Sequence, residues 1–185
     1  MPERIARKVV LTEDMEQQKL VRKYLEKCGH NLRECEFLPR RKWPGGSGEQ
    51  NVRHEFPVQV RACRSTTGKK ASALLVVMID ADRKTTNERG QQLSKALEDA
   101  DEDPLGHDEL IVVLIPRRHV ETWIRALLGT KVDEEADYKN PKPTGSEIQQ
   151  AAVTLYEWTR PNAQPGETSP ASLTASIPEW RKIPS

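Results

Sequence analysis

The chain lacks a dominant charge, a long apolar run and paired cysteines, and each absence excludes something. Lys and Arg number 29 against 28 Asp and Glu, a net charge of +1. No global field therefore attracts a polyanion, and any nucleic-acid surface has to be local. The longest apolar run, Ala71 to Ile79 broken by Ser72, is far short of the ~20 residues that a membrane span needs. No membrane association is expected. No basic-then-apolar leader opens the chain, so a cytoplasmic location is expected. The three cysteines, Cys28, Cys35 and Cys63, form no C-x-x-C pair. An odd, scattered set suits a reducing compartment and argues against both a disulfide framework and a thiolate zinc site. His30, His54, His107 and His119 are equally scattered; only His119 follows a strand end closely, where a surface or capping role is the simpler reading. There is no Walker A lysine loop and no G-x-G-x-x-G after the first strand. Ordinary nucleotide hydrolysis and NAD binding are therefore disfavoured.

What the chain does have is apolar residues gathered into runs. Hydrophobic residues make up 36% of 185 and charged ones 31%, with mean hydropathy −0.73, polar for a globular protein but long enough to bury a core. Ala73 to Ile79 and Leu110 to Ile115 are continuous and rich in branched side chains, the mark of strands covered on both faces. Val9-Val10-Leu11 is a shorter run of the same kind, and Leu32 to Leu38 alternates like an edge strand. Between them lie helical spacings. Leu20, Val21, Tyr24, Leu25 and Cys28 stop at Gly29, a favoured C-terminal glycine. Thr85 and Glu88 have capping-box spacing before Leu93, Ala96 and Leu97. Val120, Trp123, Ile124, Leu127 and Leu128 end at Gly129. Val52, Phe56, Val60 and Cys63 suggest a further helix that Pro57 should break or restart. Strands alternating with helices predict an α/β fold: an open, mostly parallel four-stranded sheet with helices on both faces, Rossmann-like.

The expected division is an α/β domain over 1–130, a loop and helix packing on it over 131–158, and a Pro-rich tail over 159–185. Ser146 with Gln149 has the spacing of a cap for the helix carrying Ile148, Ala151, Ala152 and Leu155. The tail carries Pro161, Pro165, Pro170, Pro178 and Pro184. It reads as surface-laid or disordered, with Ile177 and Trp180 available to dock.

In such a sheet, chemistry collects at the carboxyl ends of the strands. The first strand runs into Glu13, with Asp14 next and Glu16 a turn later. The most apolar strand runs into Asp80-Ala81-Asp82, and the last into Pro116-Arg117-Arg118 with Glu121 close behind. An Asp-x-Asp past a buried strand can aim both carboxylates at one hard cation, Mg²⁺ or Mn²⁺, with phosphate oxygens completing the shell. A neighbouring carboxylate can then be a further ligand or a general base. Plainer readings stand beside these. Asp82 can merely introduce a helix. Glu13 can be an ordinary first-turn acid. Glu121, flanked at i−4 and i+4 by Arg117 and Arg125, can belong to a surface ion-pair ladder. Glu16 reads as solvated.

The pattern resembles the Toprim superfamily. A glutamate follows the first strand (Val9-Val10-Leu11-Thr12-Glu13) and an Asp-x-Asp (Asp80-Ala81-Asp82) follows a later, very apolar one. The layout is similar to that of primases, type IA and type II topoisomerases and OLD-family nucleases. It looks most like the small stand-alone Toprim-like proteins linked to bacterial defence or mobile-element loci. Trp43-Pro44-Gly45-Gly46-Ser47-Gly48 and the stretch from Ile115-Pro116 to Glu121-Thr122-Trp123 also look like that group. The likeness covers about residues 7–130. It implies a Toprim topology and Mg²⁺- or Mn²⁺-dependent phosphodiester cleavage. Glu13 would be the acid/base or a ligand, Asp80 and Asp82 the metal-binding pair, and Glu121 an additional ligand. The chain departs from the pattern in one place: Asp14 stands where many Toprim domains have glycine.

Arg40, Arg41, Lys42, Arg53, Arg61 and Arg64 cluster in 39–64 against only Glu49 and Glu55. Arg40, Arg41, Lys42, Trp43 and Arg53 are the candidate nucleic-acid contacts, the cations for backbone phosphates and Trp43 for base stacking. A solvated loop with Trp43 packed locally is the alternative. Residues 98–109, acidic without Lys or Arg, read as a solvated loop. Lacking an appended nucleic-acid domain, the chain also suits a second role, as a non-catalytic binding or regulatory subunit beside a neighbour-encoded partner such as an ATPase. An Asp-x-Asp phosphotransferase fits less well, because Lys84 stands where a threonine is wanted.

Overall fold

The computed structural model describes residues 4–67 and 71–185. Strands β1 (Arg4–Thr12), β2 (Cys35–Leu38), β3 (Ala71–Met78) and β4 (Ile111–Leu114) form one parallel sheet in the order β2-β1-β3-β4. Helices α1 (Met15–Lys27), α2 (Gly48–Thr66), α3 (Thr86–Asp99) and α4 (Val120–Leu127) follow the strands in turn. Two more close the chain, α5 (Gly145–Thr159) and α6 (Ala171–Arg181). The expected open parallel sheet with helices on both faces is the architecture observed.

The period-2 geometry of a strand explains why β3 is apolar without interruption. Leu74, Val76 and Met78 point into a core shared with α1, α4, α5 and α6, while Ala73, Leu75, Val77 and Ile79 point into one shared with α2 and α3. With both faces covered, every position from Ser72 to Met78 is buried, and each large side chain contributes about 1.5–3 kcal/mol of burial.

The strand order also places the crevice. From β1 the chain winds outward to β2, then crosses back to β3 on the other side of β1. The helices leaving the two strands lie on opposite faces, α1 on one and α2 and α3 on the other. A gap therefore opens at the carboxyl ends of β1 and β3, where ligands bind in open α/β sheets.

Three expectations need correction. Pro57 neither breaks nor restarts α2, which runs unbroken from Gly48 to Thr66. Val52 and Phe56 before it and Val60 and Cys63 after it are buried on one face of the sheet, so tertiary packing holds both halves in line. The cap of α5 is Thr144 with Glu147 in a reciprocal capping box, two residues ahead of the Ser146/Gln149 frame. The C-terminal segment is not a surface tail either, although Ile177 and Trp180, the two residues read as able to dock, do so. It contains α6, whose Leu173, Ile177 and Trp180 belong to the core under α1 and α5. Trp180 is fully buried, with its ring 4.6 Å from that of Tyr24. Trp180→Ala is expected to lower stability by about 3–5 kcal/mol in urea unfolding, whereas a tail merely resting on the surface would cost under about 0.5 kcal/mol.

The acidic stretch after α3 is only partly solvated. Glu102 and Glu109 bind Arg61 and Arg64 of α2, with closest contacts of 2.5 Å and 2.7 Å. This uses two cations of the basic segment to fasten the opposite edge of the sheet.

Candidate functional site

The turn after β1 is built by a cap. Asp14 sits at the N-cap of α1 in extended backbone and accepts from the Gln17 N–H at 2.9 Å. This fold-back brings the fully buried Gln17 side chain across the crevice. Its Oε1 accepts from the Glu13 N–H at 2.9 Å, and its Nε2 donates to Asp80 Oδ1 at 2.9 Å. Glu13 Oε2 accepts from the Asp80 N–H at 3.1 Å. One amide and one carboxylate thus tie the end of β1 to the end of β3.

The other wall comes from β4 and its loop. Ladder-like bonds continue past the strands, Ala81 N–H to Pro116 O at 2.9 Å and Asp82 N–H to Arg118 O at 3.1 Å. Asp82 has φ +54°, a left-handed conformation that Asp tolerates better than most residues. The turn places Asp80 Oδ2 and Asp82 Oδ1 each 3.6 Å from His119 Nδ1. Glu121, in the first turn of α4, is 3% exposed, and its Oε2 has no hydrogen-bond partner among the described residues. Below the turn, the buried Arg89 donates to Asp80 O at 2.9 Å and Gln92 Oε1 at 2.7 Å, binds Glu49, and stands 3.5 Å from Asp82 Oδ2.

Burial and crowding push these acids toward their protonated forms. Glu13 is pushed up to about 8, first by burial and then by the Asp80 charge, against the Asp80 N–H bond. Asp80 is raised well above the carboxylate range by complete burial, with Asp14 and Glu121 adding repulsion. Burial also raises Glu121 and Asp14, with Asp14 repelling Glu121 and Glu16 repelling Asp14. His119 is lowered by burial and by Lys139. A shell of this kind holds protons when it holds no cation.

The structure therefore brings Glu13, Asp80, Asp82 and Glu121 to one crevice. The ladder reading of Glu121 fails, because Arg117 pairs with Glu135 and Arg125 with Glu147. Glu16 is not solvated: it is 8% exposed and meets Lys142 at 3.5 Å. His119 is not a surface residue, being 7% exposed, and although it occupies the N-cap position of α4 its side chain makes no cap bond. Sequence reasoning missed Gln17 and Arg89. Gln17 had a faint signal, three residues after the capping Asp14; Arg89 had none. Among the described residues, no three His, Cys, Asp or Glu side chains already surround one point closely enough to hold an ion.

The candidate nucleic-acid residues divide. A cavity of about 460 Å³ joins Glu13, Asp14 and Glu16 to Arg41, Lys42 and Lys142, whose cationic side chains are exposed. Gly48 closes its floor: a Cβ there would lie 2.5 Å from Glu13 O, so only glycine lets α2 start this close to the strand end. Arg40 is exposed and lies 3.7 Å from Glu36. Arg53 binds Glu49 at 2.6 Å, and through it joins the Arg89 network. Trp43 is half-buried and donates its indole N–H to Thr12 O at 3.2 Å. A larger, mostly apolar cavity of about 890 Å³ lies along α3 and includes Phe56, Leu93, Leu97 and Leu105, but none of these acids. Comparison with protein-family models, curated proteins and solved structures gives no match to this chain.

Proposed function

We propose that this protein is a Toprim-like, divalent-cation-dependent phosphodiesterase acting on DNA or RNA. The observation that carries the reading is the meeting of Glu13 and Asp80, from different strand ends, in one hydrogen-bonded shell beside Asp82 and Glu121. The donor set fits Mg²⁺ or Mn²⁺: hard carboxylate oxygens, one of them the unpartnered Glu121 Oε2. Asp80, Asp82 and Glu121 would hold the ion, which supplies Lewis acidity toward a phosphoryl oxygen. Glu13, with its raised affinity for a proton, is the group to move one to or from the reacting oxygens. Arg41, Lys42 and Lys142 line the adjoining cavity and suit backbone phosphates. Gln17 is a positioning residue, orienting Asp80 from α1.

The test is cleavage of single- and double-stranded DNA and RNA with Mg²⁺ or Mn²⁺, comparing wild type with Asp80→Ala/Asp82→Ala. Cleavage by wild type alone is expected. Equal cleavage by both overturns the assignment.

A second reading is a non-catalytic binding or regulatory subunit of the same fold. It is favoured by the lack of three ligands already in position among the described residues. Nucleic-acid binding that is lost in Arg41→Glu/Lys42→Glu, with no cleavage under any divalent salt and co-purification with a partner such as an ATPase, would select it.

A further inference from the structure

We propose that His119 is a direct ligand of the cation held by Asp80 and Asp82, so that the site takes an imidazole-accepting ion such as Co²⁺ or Zn²⁺ in preference to Mg²⁺. The inference rests on the reading that these acids hold a cation, and it adds a nitrogen donor to an otherwise all-oxygen set.

His119 stands at the N-cap of α4, where a side chain usually accepts from the first-turn N–H groups. It makes no such bond. Its Nδ1 is buried, the residue being 7% exposed, and has no hydrogen-bond partner among the described residues. A buried polar atom left without a partner is unfavourable, so its orientation calls for a cause. That nitrogen faces Asp80 Oδ2 and Asp82 Oδ1 at the same distance, 3.6 Å. A charge-assisted imidazole–carboxylate bond would close to about 2.7–2.9 Å. It closes to neither oxygen, and the nitrogen stands equally far from both.

Such spacing is near, and somewhat wider than, what a shared ion would set. Around a tetrahedral ion with bonds of about 2.0–2.1 Å, neighbouring donors lie about 3.3–3.4 Å apart. Around octahedral Mg²⁺ they lie about 2.9 Å apart. The observed contacts need a small contraction for the first and a larger one for the second. Asp82 can supply it: its side chain is 39% exposed, and Arg89 approaches it no closer than 3.5 Å. Imidazole also suits transition ions far better than Mg²⁺.

Full-length wild type, His119→Gln, His119→Asn and Asp80→Asn, each freed of metal with a chelator, are titrated with Co²⁺ and Mg²⁺ by calorimetry. His119→Gln and His119→Asn are expected to bind Co²⁺ at least tenfold more weakly while Mg²⁺ binding stays within about twofold. In Co²⁺-loaded wild type a contact-shifted, solvent-exchangeable imidazole N–H resonance is expected, a readout taken on wild type that does not depend on how well the variants fold; in His119→Gln it should disappear while the rest of the spectrum stays that of a folded chain. Unchanged Co²⁺ affinity in both His119 variants, or the absence of that resonance in Co²⁺-loaded wild type, overturns the inference. If Asp80→Asn loses both ions while the His119 variants lose neither, the acidic site stands and only the histidine ligand falls. If wild type binds neither ion, both fall.

Discussion

Asp80→Asn is expected to lose cleavage and gain stability in the same step. Asp80 is completely buried, and its carboxyl group is raised well above the usual range by burial and by Asp14 and Glu121. Near neutral pH that acid either stays protonated or ionises against its surroundings. Asparagine keeps the oxygen that accepts from Gln17 Nε2 and removes the charge that the interior resists. The metal-free variant is therefore expected to melt above wild type at pH 8. A neutral amide is a poor cation ligand, and a lost Lewis-acid contact of several kcal/mol amounts to about 10³-fold in rate. Thermal melts in chelator, paired with nuclease assays in Mn²⁺, measure the two effects. A variant that melts lower than wild type and cleaves equally well contradicts both.

The second large effect is a pH slope set by Glu13. Its pKa in the folded state is about 8, against 4.5 for an ordinary glutamate. The folded state thus binds more protons than the unfolded state between these values, and stability falls as pH rises. The contribution is present in full below about pH 4.5, is lost progressively through about pH 8, and is level above that. Glu13→Gln should flatten this part of the curve, the buried Asp80 leaving a residual slope of the same sign. A divalent ion should offset the loss in wild type. At a hundredfold excess over Kd, binding adds about 2.7 kcal/mol, which for a chain of this size is about 5–10 °C in melting temperature. Melts from pH 5 to pH 9 in chelator and in Mn²⁺ read both terms. Identical slopes in wild type and Glu13→Gln would exclude Glu13 as the source.

Much of this site could be read from strand ends alone. An unbroken apolar run such as Ala73 to Ile79 has to be a strand covered on both faces, and the residues just beyond its carboxyl end have to lie at the rim of the sheet. Glu13 and Asp80 were therefore legible as rim residues. His119 was legible only as the one histidine worth watching near a strand end, because its place in the site depends on the 116–118 loop pairing with Ala81 and Asp82. Arg89 was illegible for a similar reason: a charged residue early in a helix looks like any solvated one until the strand turn folds over it. Trp43 points the other way. Beside Arg41 and Lys42 it looked like a stacking platform, yet its N–H closes onto the backbone of β1.

The amino-acid sequence by itself determined the layered architecture, because hydrophobic period and length are local properties that survive any arrangement of the loops. It also determined which acids follow which strands. Only the tertiary structure decided that the strand order reverses at β1, setting Glu13 beside Asp80, and that Glu121 turns inward rather than joining Arg117 and Arg125. It also decided that α6 completes the core. These outcomes depend on pairings between residues far apart in the chain, such as Gln17 with Asp80 and Tyr24 with Trp180. Their free energy comes from desolvation and close packing in three dimensions, which no local pattern records.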